Sequence, residues 1–190
     1  MTPQNVLILP GLQGSGTDHW QSRWERAYGF SRVEQHDWMR PLRGDWIARL
    51  EDVLLSRPDK NPAPVVLVAH SLGCLLVAAW AAHSKNTHHV QAALLVAPPD
   101  TERADVRQLL PPGWAPIPAV RLPFQTVMVI SSNDPFCAAA RARDFAGLWG
   151  AKLVEAGARG HLNADSGLGD WPEAYAQLEG LMAKPATDQH

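Results

Sequence analysis

The pentapeptide Ala69-His70-Ser71-Leu72-Gly73 follows the apolar run Val65-Val66-Leu67-Val68 and opens another apolar stretch, so Ser71 falls where a buried strand turns directly into a buried helix. A hydroxyl held in such a strained turn stands clear of the backbone and can attack a carbonyl carbon. Side chains two residues before and after the serine must be small, because larger ones meet the neighbouring backbone. Those positions are Ala69 and Gly73, and the pattern departs from G-x-S-x-G only at its first glycine. A serine hydroxyl at its ordinary pKa is a weak nucleophile and needs a general base, itself oriented by a carboxylate. Two downstream loops offer them: Asp134 in Ser131-Ser132-Asn133-Asp134-Pro135, and His161 after Gly157 and Gly160. Asp100 and Asp165 stay open as alternative acids. His70, next to the serine, is expected to point away from its hydroxyl as a structural or wall residue, and His19 to line the pocket. The chemistry such a set performs is acyl transfer through a serine-bound intermediate.

These residues need a scaffold that brings distant loops to one edge. Short β-rich runs alternate with helix-period segments along the chain, the pattern of a parallel sheet covered on both faces. Strands are expected at Val6 to Leu9, Val33 to Gln35, Val65 to Ala69, Ala92 to Val96, Thr126 to Ile130 and Lys152 to Glu155. Helices are expected at Asp18 to Tyr28 with Thr17 as N-cap, from Asp45 as cap through Leu54, at Leu72 to Ala82, Ala138 to Trp149 and Pro172 to Met182, with one short helix within Glu102 to Leu110. Strand ends of a parallel sheet face one way, so Ser71, Asp134 and His161 can converge. With strand order 2-1-3-4-5-6, the first and third strands are neighbours, and the crevice between them lies beside Ser71. The amide of Leu72 and that of Leu12, in the loop after the first strand, are then the candidate oxyanion donors. Residues 1–183 are expected to form one α/β domain and 184–190 a frayed tail.

The run Leu9-Pro10-Gly11-Leu12-Gln13-Gly14-Ser15, the elbow His70-Ser71-Leu72-Gly73, the turn Ser132-Asn133-Asp134-Pro135 and the segment Gly160-His161-Leu162-Asn163-Ala164-Asp165-Ser166-Gly167, with Trp171-Pro172-Glu173 beyond, resemble the small α/β-hydrolases of the YdeN and retinoblastoma-binding protein 9 family. The resemblance implies a minimal, doubly wound α/β-hydrolase fold without a large cap domain. It implies a triad of Ser71, Asp134 and His161, esterase-like activity, and neither metal nor organic cofactor; the serine chemistry itself is expected to act on a small-molecule ester, thioester or activated amide. The retinoblastoma link does not carry over, since the chain has no L-x-C-x-E motif.

Composition narrows the remaining classes. A net charge of −2 with 19% charged residues supplies no positive field for nucleic acid or anionic lipid. Residues 61 to 84 lack Asp, Glu, Lys and Arg, yet Pro62, Pro64, His70, Ser71 and Gly73 fit strand, turn and buried helix better than a membrane span. Cys74 and Cys137, without CxxC spacing, argue against a disulfide framework or cysteine-based zinc site and for inert packing. With no secretory signal, the expectation is a cytoplasmic monomer or weak homodimer. Gly11, Gly14 and Gly16 do not form the dinucleotide fingerprint. Eight tryptophans are many: Trp46, Trp80 and Trp149 are expected in the core, and Trp20, Trp38, Trp114 and Trp171 as candidate pocket walls. The competing class is a binding module in which catalysis is secondary, docking through the proline-rich segment 98–124.

Overall fold

The computed structural model describes residues 5–57 and 62–183; the tail 184–190 lies outside them. Six strands form one sheet in the order β2-β1-β3-β4-β5-β6, comprising β1 (Val6–Leu9), β2 (Ser31–Arg32), β3 (Val65–His70), β4 (Val90–Val96), β5 (Gln125–Ile130) and β6 (Lys152–Glu155). Every pairing is parallel. The helices are α1 (Trp20–Tyr28), α2 (Arg43–Leu55), α3 (Leu72–Ala81), α4 (Ala104–Arg107), α5 (Ala139–Trp149) and α6 (Pro172–Ala183).

Period-two alternation splits each central strand between two cores. Val6, Ile8, Val66, Val68, Leu94 and Val96 pack with Trp20 and Trp24 of α1 and with Leu178 and Leu181 of α6. Leu7, Leu67, Leu95 and Met128 face the opposite layer, with Trp46 and Leu50 of α2, α3, and Phe145 and Trp149 of α5. Fully burying each such side chain contributes about 1.5–3 kcal/mol. Helix α3 is buried along nearly its whole length and sits under the sheet centre, which gives the turn before it a rigid support.

Local chemistry moves several element ends. Thr17 does not cap α1. His19 N donates to Gly16 O (3.0 Å) to close a turn, and the His19 side chain becomes the cap, its Nδ1 accepting from Gln21 N. Asp45 lies within the first turn of α2, where the helix dipole favours an acid, while Leu42 holds the cap position. Strand β2 begins at Ser31 rather than Val33, because the left-handed Gly29 (φ 70°) reverses the chain immediately after α1. Arg32 is then fixed by Glu25 Oε1 (2.8 Å) and Ser22 Oγ (2.7 Å). The proline-rich excursion carries only α4 and is pinned by Thr101 Oγ1 donating to Trp114 O (2.7 Å) and Trp114 Nε1 donating to Pro41 O (2.7 Å). No helix among the described residues is long and apolar enough to cross a membrane.

Candidate active site

Ser71 occupies the single residue between β3 and α3, with φ 54° and ψ −124°. This is a sparsely populated backbone region for a residue with a side chain, and such strain persists only where the surroundings over-determine it. The sheet does so from one side, through Ser71 N donating to Val96 O (2.9 Å), and α3 from the other, through Cys74 N donating to Ser71 O (2.9 Å). The turn lies hard against the end of β1. A Cβ on Gly73 would stand 2.3 Å from Leu9 O, and one on Gly11 would stand 2.8 Å from Ser71 Cβ and 3.1 Å from Leu72 N. Both glycines are therefore required by close approach.

The three side chains expected to converge meet in hydrogen-bond contact. His161 Nε2 lies 2.8 Å from Ser71 Oγ, and His161 Nδ1 lies 2.9 Å from both carboxylate oxygens of Asp134. Since a carboxylate only accepts, Nδ1 carries the imidazole proton and Nε2 is the acceptor facing the serine hydroxyl. Asp134 Oδ1 also accepts from Phe136 N (2.9 Å). The side chains of His161 and Asp134 are only 9% and 4% exposed, so little water competes for their contact. The acid and histidine loops are stitched together: Asn133 Oδ1 accepts from Ser131 Oγ (2.9 Å) and Gly160 N (2.7 Å), and Ser131 Oγ accepts from Arg159 N (2.9 Å).

Neither alternative acid reaches the imidazole. Asp100 faces Arg141 (3.7 Å) and accepts from Glu102 N (3.2 Å), while Asp165 lies in the short 3-10 turn Ala164–Ser166 beyond His161. His70 supports the base from behind, its Nε2 paired with the His161 carbonyl at 2.9 Å. Trp20 Nε1 donates to Leu162 O (2.9 Å), holding the same loop through a residue at φ 51°. Leu12 lines the cleft with Ser71 and Leu72. Its loop is locked by Gly14 N donating to Gly11 O (3.0 Å) and Gln13 N donating to Trp38 O (2.9 Å), bonds that engage neighbouring amides but not that of Leu12.

A cleft of about 520 Å³ opens over Ser71. Its polar side is the glycine loop with His19 and His70; its apolar side is Met39, Pro99, Val106, Leu109, Leu110 and Phe136. None of the four candidate wall tryptophans lines it. Their indoles instead act from beneath: Trp20 and Trp114 donate to loop carbonyls, Trp38 lies under Gly14, and Trp171 packs against Trp20 with ring centroids 5.4 Å apart. Sequence reasoning also missed Gln21, fully buried, whose Nε2 donates to Leu9 O (3.3 Å) and Val68 O (3.0 Å). It ties the ends of β1 and β3 together on either side of the crevice. The available signal was its place beside Trp20 and Trp24 on one helix face.

Burial dominates the electrostatics around the site. It lowers His19 to about 4, with Arg32 and then His161 adding to the effect, and it lowers His70 well below the usual histidine range, with His19 and His161 contributing. Burial pushes the Cys74 thiol up and the Cys137 thiol up to about 12, so both stay protonated and inert. Because His19 and His70 bind protons more weakly folded than unfolded, their stabilising effect is complete above the unfolded pKa near 6.5 and is lost as pH falls toward the folded values. For His19 alone, stability is expected to drop by about 2 kcal/mol from pH 7 to pH 5. Urea unfolding at the two pH values measures it, and an unchanged midpoint would contradict neutral burial of this pair. Among the described residues no group of three or more His, Cys, Asp or Glu side chains is disposed to hold a metal ion.

A strained serine at a strand-to-helix turn of a parallel sheet, joined to a histidine and an acid from later strand ends, defines the α/β-hydrolase class. Residues 6–180 match the serine hydrolase family, and the chain belongs to it. Among solved structures it is similar to a protein described as a YdeN-like hydrolase from Pectobacterium atrosepticum, at 28% identity over 94% of this chain and 90% of that one, with a TM-score of 0.79. The ydeN gene product of B. subtilis matches at 21% identity over 95% of this chain and 100% of that one, TM-score 0.71. Est1E from Butyrivibrio proteoclasticus with bound ferulic acid matches at 13% identity over 97% and 94%, TM-score 0.69, a likeness of fold. No curated protein matches the chain.

Proposed function

We propose that this serine hydrolase cleaves carboxylic esters or thioesters through an acyl-enzyme on Ser71. The observation that carries the reading is the unbroken relay from Asp134 through His161 (2.9 Å) to Ser71 Oγ (2.8 Å) in a water-poor setting. Ser71 Oγ attacks the carbonyl carbon while His161 Nε2 accepts its proton; Asp134 holds the tautomer and stabilises the imidazolium. The amides of Leu72 and Leu12 stabilise the oxyanion, the first also standing at the positive end of α3. Collapse expels the alcohol or thiol, protonated by His161, and water activated by the same imidazole releases the acid. A fluorophosphonate probe tests this directly: it is expected to label wild type at Ser71 and to leave Ser71→Ala unlabelled. A folded wild-type protein that stays unlabelled overturns the mechanism.

The apolar side of the cleft supports substrates with an apolar acyl group. Met39 is 70% and Leu109 57% exposed, and both line the cleft mouth. Each methylene buried there contributes about 0.8 kcal/mol, so kcat/KM for p-nitrophenyl esters is expected to climb by up to about fourfold per added methylene until the chain leaves the cleft. Leu109→Asp is expected to flatten that rise. A chain-length panel that is flat in wild type removes this part of the reading.

A further inference from the structure

One buried carboxamide outside the cleft lining is bonded to both walls of the crevice beside Ser71. Gln21 Nε2 donates to Leu9 O (3.3 Å) at the end of β1 and to Val68 O (3.0 Å) in β3, the strand that delivers Ser71, and Gln21 Oε1 accepts from Ser15 Oγ (2.6 Å). Leu9 and Ser15 bound the glycine loop, so one side chain closes that loop into a ring with the Leu12 amide midway. The loop lies against the nucleophile turn at two points: a Cβ on Gly73 would stand 2.3 Å from Leu9 O, and one on Gly11 would stand 3.1 Å from Leu72 N. Ser15 is held at a second atom as well. Its carbonyl accepts from Ser22 Oγ (2.8 Å) and Arg32 Nη1 (3.2 Å), while Arg32 Nη2 donates to Ser22 Oγ (2.7 Å). Glu25 closes the set by accepting from the guanidinium at 2.8 Å and 3.1 Å, in a pair whose side chains are only 17% and 20% exposed.

We propose that Gln21, Ser15, Ser22 and Arg32 form a positioning brace that sets the distance and direction of the Leu12 amide relative to that of Leu72, so that the oxyanion site is complete before substrate arrives. This rests on the acyl-enzyme reading above. None of the four residues lines the cleft, so each acts through the loop rather than on substrate. Covering the loop alone would not call for this chemistry, since apolar side chains of the same volume avoid the cost of burying charged and polar groups. Apolar packing does not fix direction, whereas a fully satisfied hydrogen-bond network does. Direction is what an oxyanion donor needs: it stabilises the charge that develops on the substrate oxygen, and a small misplacement costs turnover while leaving ground-state binding nearly intact.

Ser15→Ala removes the bond to Gln21 and leaves the carbonyl contacts of Ser15 in place. With p-nitrophenyl butyrate, and with active sites counted by fluorophosphonate titration, kcat is expected to fall about tenfold while KM stays within about twofold. Hexyl trifluoromethyl ketone, whose adduct with Ser71 places an oxyanion in the site, is expected to bind about tenfold more weakly, whereas hexyl methyl ketone, which occupies the cleft without forming the adduct, keeps its Ki. A merely structural role would lower the number of active sites and leave both Ki values unchanged. Ser22→Ala, in a helix that favours alanine, acts one bond further from the loop and is expected to give the same pattern at about threefold. Should Ser15→Ala fail to fold, Ser22→Ala decides alone. An unchanged kcat per active site overturns the inference, as does weakening of both ketones by the same factor, which would mean that the cleft itself has deformed. Either result leaves the hydrolase reading standing; wild-type protein that neither hydrolyses the ester nor reacts with fluorophosphonate overturns that reading and this one with it.

Discussion

Ser71→Ala is expected to lower kcat for p-nitrophenyl esters by about 10⁴- to 10⁶-fold while leaving the melting temperature unchanged or raised. The serine hydroxyl contributes little to packing, and alanine keeps the Cβ and with it the backbone conformation at φ 54°. His161→Ala is expected to cost a similar factor, and the Ser71→Ala/His161→Ala double variant hardly more than either alone, because the two side chains act as one unit joined at 2.8 Å. Asp134→Asn is expected to cost about 10⁴-fold by presenting a donor where Nδ1–H needs an acceptor. Asp100→Asn, whose carboxylate serves Arg141 rather than the imidazole, is expected to stay within a few-fold of wild type. Additive losses in the double variant, or an Asp100 effect as large as that of Asp134, would show that a different relay operates.

Gly73→Ala is expected to be the most damaging single-methyl change. The added Cβ would stand 2.3 Å from Leu9 O and 3.1 Å from Pro10 O, both backbone atoms of the strand end that feeds the glycine loop. Neither can rotate away, so β1 or α3 must shift. Overpacking of this kind costs about 3 kcal/mol, which for a chain of this size lowers Tm by roughly 10 °C. Activity is expected to fall at least tenfold as well, by about 1.4 kcal/mol, because the displaced segment carries the Leu12 amide. Gly44→Ala is the control: a Cβ there meets nothing within 4 Å, and in α2 it is expected to stabilise by about 0.5–1 kcal/mol. Thermal unfolding of the two variants side by side decides the matter; equal melting temperatures would mean that the crossing is looser than its geometry.

Strand order and the meeting of Ser71 with the His161 loop were legible because they follow from a few strong signals: fully apolar strands, one serine at a strand-to-helix junction, and loops that a parallel sheet must deliver to one edge. The choice among Asp134, Asp100 and Asp165 was not, because it depends on which side chain turns inward, and that is decided by Asn133 and Ser131 bonding across to the histidine loop. The cap of α1 falls on His19, through a ring nitrogen, rather than on Thr17, which has the commoner capping chemistry. The tryptophans depart from expectation for a related reason. Their position in or near loops suggested exposure to the pocket, but an indole N–H seeks a carbonyl, and Trp20 and Trp114 find theirs in the loops they support from below. The cleft walls include Met39 from the loop before α2 and Leu109 and Leu110 from the irregular excursion, none of which carries a periodic signature.

Trp20, Trp24 and Trp171 sit edge to face in one cluster, with centroids 4.7 Å and 5.4 Å from Trp20, and Trp20 is bonded to the loop that carries the imidazole. Chromophores so close and so rigidly oriented couple optically, giving the protein a built-in near-ultraviolet dichroism signal. The share of it that Trp20→Phe removes, apart from that of the second edge-to-face set Trp38, Trp46 and Trp114, is expected to follow docking of the base loop and can be read on the unlabelled enzyme.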